Sequence, residues 1–252
     1  MIRRTARRVA FGAIVVVALF VTGPLVALAL GKASFTGAWW AATHRPAGLA
    51  PDPADHPEAI VQAYAARTFG WRGAFGVHTW IAAKPAGAPR YTRYEVIGWL
   101  ARDGGSAVSV DDRRAPDAEW YGNAPELLRD LRGSQAEAVI AKLDRAAASY
   151  PYAHHYSVWP GPNSNTFVAH VARSVPELRL ALPANALGKD YVEWESAFGR
   201  SPSGTGWQAS ARGVLGLIVG GDEGFELNVL GLVVGVDPRA PALKLPGFGN
   251  VP

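Results

Sequence analysis

A polar tetrapeptide at positions 163–166, Asn-Ser-Asn-Thr, contains residue types that nucleophilic chemistry uses. It follows a rigid Trp-Pro-Gly-Pro loop and precedes an apolar segment that is predicted to be a helix. Side chains at a helix start lie beside unpaired N–H groups and the positive end of the helix dipole, which stabilise an anion. Ser164 is therefore the candidate nucleophile. Asn163, Asn165 and Thr166 are candidates for binding substrate or an oxyanion.

A serine hydroxyl becomes a nucleophile only when a base removes its proton, and a third group commonly orients that base. His78 is the leading candidate for the base, in a segment rich in aromatic and β-branched residues that is predicted to be a strand. Glu95, in the next predicted strand, is the candidate for the orienting carboxylate. These three residues predict a serine-dependent hydrolase or acyltransferase, such as an amidase or esterase.

The same residues also have a structural interpretation. Asn, Ser and Thr are the preferred N-cap residues, so positions 163–166 can simply satisfy the first-turn amides of the helix. His78 has apolar neighbours in sequence and fits a hydrogen-bonded core histidine, while Glu95 can pair with Arg90 or Arg93. This interpretation favours a non-catalytic binding or scaffolding module facing the periplasm or cell exterior as the expected function, with the serine-dependent hydrolase or acyltransferase as the alternative.

The sequence gives little reason to expect a metal or a cofactor. The chain has no cysteine, which excludes disulfides, thiolate zinc sites and a cysteine nucleophile. His154, His155 and His170 lack a carboxylate at a familiar ligand spacing, so they are interpreted as surface histidines. The Gly-Thr-Gly-Trp segment at 204–207 lacks the lysine and the strand-to-helix context of a phosphate-binding loop.

The distribution of charge argues against nucleic-acid binding. The 252 residues contain 25 Lys and Arg against 21 Asp and Glu, a formal net charge of +4. Four arginines lie within residues 1–8, so the remainder has 25 − 4 = 21 basic groups against 21 acidic groups. A neutral remainder has no broad basic surface, and no nucleic-acid partner is expected.

The N-terminus predicts a membrane anchor. An uncharged run of 22 residues, 9–30, follows the arginines, and a membrane-spanning helix needs roughly 20 apolar residues. The predicted organisation is a cytoplasmic basic segment at 1–8, a transmembrane helix at 9–31 and an exported remainder, because positive charge stays inside. A signal peptide cut after Ala29 or Gly31 is the alternative. Both interpretations place the globular part outside the cytoplasm.

Patterning predicts a Pro-rich linker at 32–58 and a globular domain at 59–252. The pattern of segment 59–66 fits either a strand or a helical turn, and 156–159 is predicted to be a short strand or an extended segment. Residues 125–150 are predicted to be two helices or one kinked helix, and 165–175 a helix. Strands are predicted at 75–83, 91–100 and 107–110, with a hairpin formed by 213–219 and 225–236. The predicted class is α+β, an antiparallel sheet with helices packed on one side, preceded by the transmembrane helix.

Three segments carry a resemblance to known families, YAARTFGWRGAFGVHTWIAAKP, YTRYEVIGW and YSVWPGPNSNTFVAHVAR. They resemble the bacterial domain of unknown function 3750 family across most of residues 60–236. The order of His78, Glu95 and the motif at 163–167 is also similar to circularly permuted papain-like proteins, which include NlpC/P60-related and lecithin-retinol acyltransferase-like members. Ser164 stands where that superfamily has its cysteine. With the exported location, the expected setting is the bacterial inner membrane, with peptidoglycan, lipid or an envelope protein as partner.

Overall fold

The structure is a computed structural model that describes residues 2–33 and 38–251. Its first part contains three α-helices and five strands. In chain order they are α1 (Ile2–Ala29), β1 (Ile60–Arg67), β2 (Val77–Lys84), β3 (Thr92–Val96), β4 (Val108–Asp111), β5 (Glu126–Arg132), α2 (Gly133–Ala148) and α3 (Ser164–Ser174).

Seven further strands follow α3. They are β6 (Phe198–Arg200), β7 (Gly206–Ala211), β8 (Leu215–Gly220), β9 (Gly224–Val229), β10 (Leu232–Asp237), β11 (Ala242–Leu245) and β12 (Gly249–Val251). Each strand pairs with its sequence neighbours, so this second sheet is an antiparallel meander.

The first sheet has the order β4-β3-β2-β1-β5, and all its pairs are antiparallel. Successive side chains of a strand point to opposite faces. On one face, Val61, Val77 and Ile81 form a core cluster with the apolar sides of α2 and α3. On the other face, Tyr64 and Trp80 stack with ring centroids 5.5 Å apart. The predicted α+β class with antiparallel strands is confirmed, and both helices lie on the same face.

The face away from the helices is covered by irregular chain. Trp80 Nε1 donates a hydrogen bond to the Pro116 carbonyl over 2.7 Å, and Tyr91 donates to the Pro51 carbonyl over 3.1 Å. The buried Lys84 ammonium donates to the Glu58 carbonyl over 2.7 Å. Part of the predicted linker, residues 32–58, is therefore packed against the sheet.

Several predicted elements differ from those observed. Residues 125–150 are not entirely helical, because Glu126–Arg132 form β5 and only Gly133–Ala148 form α2. The leucines of β5 fit a helical spacing, but the segment pairs with β1 and satisfies the backbone groups along that strand's edge, with Leu131 opposite Val61. Segment 59–66 is a strand, segment 156–159 forms no strand, and 225–236 is divided into β9 and β10 by a turn at Leu230 and Gly231.

Helix α1 covers most of the anchor predicted at 9–31. Within the part of the chain that the structure describes, none of the helices combines the length and the apolar character of a membrane span. The C-terminal half of α1 lies against the domain, where a methyl group added at Gly23 would come within 2.0 Å of the Pro246 carbonyl oxygen. Lys32 Nζ lies 4.4 Å from the Phe248 ring centroid.

Candidate active site

Helix α3 begins with a capping box formed by Asn163 and Thr166. The Asn163 side-chain oxygen accepts hydrogen bonds from the backbone N–H groups of Asn165 (2.9 Å) and Thr166 (3.2 Å). The Thr166 hydroxyl oxygen accepts one in return from the Asn163 backbone N–H, over 3.1 Å. Three backbone amides at the start of the helix are satisfied in this way. The cap of α3 is therefore Asn163, and Ser164 is the first residue of the helix.

Three of the four polar side chains of this segment are tied to neighbouring backbone. Asn165 Nδ2 donates to the carbonyls of Val77 (3.0 Å) and Leu187 (2.8 Å), and its Oδ1 accepts from the Thr79 hydroxyl over 2.9 Å. The Asn163 side-chain amide also donates to Leu187, over 3.0 Å. Thr166 donates to the Gly188 carbonyl over 2.8 Å. These bonds join α3 to β2 and to the following loop, so the side chains predicted to bind substrate have structural partners.

Ser164 differs from these neighbours. The residue is 4% exposed and lines a pocket, and its hydroxyl forms no hydrogen bond with any residue that the structure describes. As the first residue of an 11-residue helix it also has a backbone N–H without an intrahelical acceptor. A hydroxyl and an amide that have no partner among the described residues therefore lie together at the positive end of the α3 dipole.

His78, the second residue of β2, is held in place by a buried carboxylate. Its Nε2 lies 3.0 Å from Glu95 Oε2, and Arg93 Nη2 donates to that same oxygen over 3.0 Å. All three residues are less than 5% exposed. The His78 ring also stacks on Trp120, with centroids 3.6 Å apart and an interplanar angle of 8°. The ring is therefore fixed at its edge by a hydrogen bond and on one face by an aromatic plane.

Burial and charge set the protonation of this pair. Burial lowers the pKa of His78, although its hydrogen bond to Glu95 and the charge of that carboxylate oppose the shift. Burial by itself raises the pKa of Glu95, but the hydrogen bond from His78 and the charge of Arg93 outweigh it and lower the pKa to about 2. A carboxylate only accepts hydrogen bonds, so the neutral imidazole carries its proton on Nε2. Its Nδ1 is left with a lone pair, as a base requires.

His78 and Ser164 line the same pocket, which has a volume of about 330 Å³. His78 points to the same face of the sheet as Trp80, whereas α3 packs on the opposite face. The pocket lies at the beginning of β2, where groups from both faces meet, and no hydrogen bond joins the two side chains. Its walls are mostly apolar, formed by Trp71, Phe75, Val77, Trp120, Tyr156, Val158, Trp159, Leu187, Leu230 and Leu232.

Sequence reasoning missed the role of Trp120, whose irregular segment gives no local signal for contact with His78. The sequence offers Arg93 only as one of two ion-pair partners of Glu95, and the structure shows that Arg93 and Glu95 form this pair with both side chains buried. The i, i+2 spacing of Arg93 and Glu95 places both side chains on one face of β3. His154, His155 and His170, interpreted from the sequence as surface histidines, do not form a metal site. Among residues 2–33 and 38–251, no group of three or more His, Asp or Glu residues could hold a metal ion.

Comparison with known proteins identifies the family of this chain. The model of a family described as protein of unknown function (DUF3750) matches residues 58–191, which is more than half of the 252 residues. The chain belongs to the DUF3750 family. The DUF3750 match begins just before β1, includes His78, Glu95 and Ser164, and ends before β6. No curated protein and no solved structure matches the chain.

Proposed function

We propose that this protein is a serine-dependent hydrolase or acyltransferase of the bacterial cell envelope, anchored in the inner membrane by residues 9–31. The observation that carries the proposal is that the Ser164 hydroxyl, which has no hydrogen-bond partner among the described residues, shares a pocket with His78, whose Nε2 lies 3.0 Å from Glu95 Oε2. A nucleophile, a base and an orienting carboxylate are the groups that acyl transfer requires.

In the proposed reaction, His78 Nδ1 removes the proton from Ser164 Oγ as this oxygen attacks the carbonyl carbon of an ester or amide. The developing oxyanion is stabilised by the Ser164 N–H and the dipole of α3. His78 then donates the proton to the leaving alcohol or amine, and water or an acceptor releases the acyl group. The hydrogen bond between Ser164 and His78 forms when substrate binds, because such bonds often lengthen in the absence of substrate.

The order of the site residues supports this proposal. His78 lies on β2, Glu95 on β3 and Ser164 at the start of a helix packed on the sheet. This is the order noted in the circularly permuted papain-like superfamily, with serine in place of cysteine. Serine ionises far less readily than cysteine, so the reaction depends more strongly on the base. The proposed substrates are peptides or lipids of the envelope.

The anchor is proposed from residues 1–31. Four arginines precede the apolar run, and the positive-inside rule places them in the cytoplasm. Several apolar side chains of α1 are exposed, among them Phe11 (68%), Ile14 (65%) and Val17 (61%). Exposed apolar side chains along one helix are best accommodated by lipid. The globular part would then lie on the outer side of the membrane.

A second candidate function is a binding module that performs no reaction. The observation that favours it is the absence of a hydrogen bond between Ser164 and His78 in a pocket with mostly apolar walls. Concave apolar pockets with a few polar groups are typical sites for small ligands. In this case Ser164 and His78 would orient a bound ligand that has an apolar part.

The test is covalent labelling of the full chain by a serine-directed fluorophosphonate. We expect labelling of the wild-type protein, none in Ser164→Ala, and a rate reduced by about 10²-fold or more in His78→Gln. Ser134→Ala, at an exposed position of α2, is the matched control and should label like the wild type. Absence of labelling in a folded wild-type protein would contradict the hydrolase and favour the binding module.

A further inference from the structure

The second sheet, β6 to β12, buries polar side chains on its inner face. Glu226 on β9 receives two ammonium groups: Lys244 Nζ lies 2.5 Å from its Oε1 and Lys189 Nζ lies 2.7 Å from its Oε2. All three residues are at most 2% exposed. Gln208, Ser210 and Asn228 are also buried on this face, and Asn228 donates to Asp190 over 2.8 Å. The interior of this sheet is therefore held by ion pairs and hydrogen bonds.

The outer face of the same sheet is apolar and exposed. A row runs across neighbouring strands from Trp207 through Val219, Phe225 and Val236 to Leu243, and each of these side chains is 46–57% exposed. A second row contains Phe198, Ala209, Leu217, Leu227 and Val234. Single exposed apolar residues are normal, but a contiguous apolar face of this extent marks an interaction site.

The single charged residue among the described members of this outer face lies at its edge. Arg200 on β6 is paired with Trp207, and its guanidinium lies 4.5 Å from the Trp207 ring centroid. Phe198 stacks on the same tryptophan, with centroids 5.3 Å apart. Tryptophan and arginine at the edge of an apolar surface are typical of the boundary between lipid and water, because the aromatic ring is amphipathic and the arginine extends its charge into the headgroups.

The second sheet is also joined to the proposed anchor. The turn between β11 and β12 contacts α1, with Gly23 against Pro246 and Pro24 against Gly247. A helix that enters the membrane would keep this sheet close to the bilayer surface. We infer that the outer face of the second sheet docks on the lipid bilayer, with its apolar side chains in the boundary between headgroups and acyl chains. This inference rests on the anchor proposed above.

Because the chain contains no cysteine, single cysteines can be introduced and labelled with an environment-sensitive fluorophore. The probes on the sheet are Leu217→Cys and Phe225→Cys, both in the full chain reconstituted in vesicles of phosphatidylcholine and phosphatidylglycerol in equal parts. Ile14→Cys reports on the anchor. Glu137→Cys, on the exposed side of α2, is the matched control. Nitroxide-bearing lipids quench fluorophores in the bilayer, and iodide quenches those in water.

We expect nitroxide lipids to quench the labels at positions 217 and 225 several-fold more than the label at 137, with the reverse order for iodide. Labels at 217 and 225 that behave like the label at 137 would overturn the inference. Labels shielded from both quenchers, together with disulfide-linked dimers of Leu217→Cys, would show that a second copy covers the face and would also overturn it. The label at position 14 reports separately on the anchor, so failure of the anchor and failure of docking can be distinguished.

Discussion

Asn163 and Ser164 are adjacent, but their side chains have separate roles at the start of α3. The Asn163 side chain accepts from two first-turn amides and donates to two carbonyls, whereas the Ser164 hydroxyl has no bonding partner among the described residues. We expect Asn163→Ala to lower the free energy of unfolding by about 1–2 kcal/mol, as loss of a cap does. Ser164→Ala should change it by less than about 0.5 kcal/mol while abolishing fluorophosphonate labelling. Chemical denaturation measures both, and an equal loss in the two variants would contradict this division of roles.

Glu95 makes stability depend on pH. Its folded-state pKa of about 2 is lower than the ordinary value of 4.5, so the unfolded chain binds the proton first as the pH falls. The stabilisation from Glu95 is therefore complete above about pH 5 and is lost progressively as the pH falls towards about 2. The difference between these two pKa values corresponds to about 3 kcal/mol of folding free energy when the stabilisation is complete. We expect Glu95→Gln to be less stable than the wild type at pH 7, with a difference that shrinks across this range. If the stability difference between the wild type and Glu95→Gln stayed constant with pH, the lowered pKa of Glu95 would be contradicted.

The His78 base sets the pH dependence of the proposed reaction. Because burial lowers the pKa of His78 below 6.5, the imidazole stays neutral and able to accept a proton at pH values where an exposed histidine is already charged. The rate of Ser164 labelling should therefore decline only as the pH falls below about 6.5. Initial labelling rates across the acidic range measure this. A decline centred above pH 7 would exclude a neutral His78 as the base.

At the scale of elements, the second sheet contains a buried cluster of three charged side chains. Glu226 is in contact with both Lys189 and Lys244, and burial lowers the pKa of Lys189 against the opposing charge of Glu226. Glu226→Gln would leave two buried ammonium groups without a carboxylate, and breaking such a pair costs about 3–5 kcal/mol. We expect a large decrease in the melting temperature. Glu137→Gln, at an exposed position, is the matched control and should melt like the wild type. A variant as stable as this control would show that the cluster contributes little.

At the scale of the whole molecule, the proposed anchor predicts a topology. A periplasm-dependent phosphatase fused after Pro252 should be active in a bacterial host, since the globular part is expected to be exported. Replacing Arg3, Arg4, Arg7 and Arg8 by glutamine should reduce that activity, because in the proposed topology these arginines supply the positive charge that keeps the N-terminus inside. The intact mass of the mature protein distinguishes an anchor from a signal peptide cut after Ala29 or Gly31. An inactive fusion whose chain is fully expressed would contradict export.

Local patterns were sufficient for much of the first sheet and for the position of the candidate nucleophile. The α+β class, the antiparallel strands containing His78 and Glu95, and the helix that begins within 163–166 all follow from periodicity and capping preferences, which act over a few residues. Tertiary structure decided the rest. Segment 126–132 is a strand because β1 offers it a partner, and the His78 ring is fixed by Trp120, which is distant in sequence. The second sheet has a polar interior and an apolar exterior because the polar face of its strands meets Lys189 and Asp190. The alternation of polar and apolar residues along a strand shows that it has two different faces, but not which face is buried.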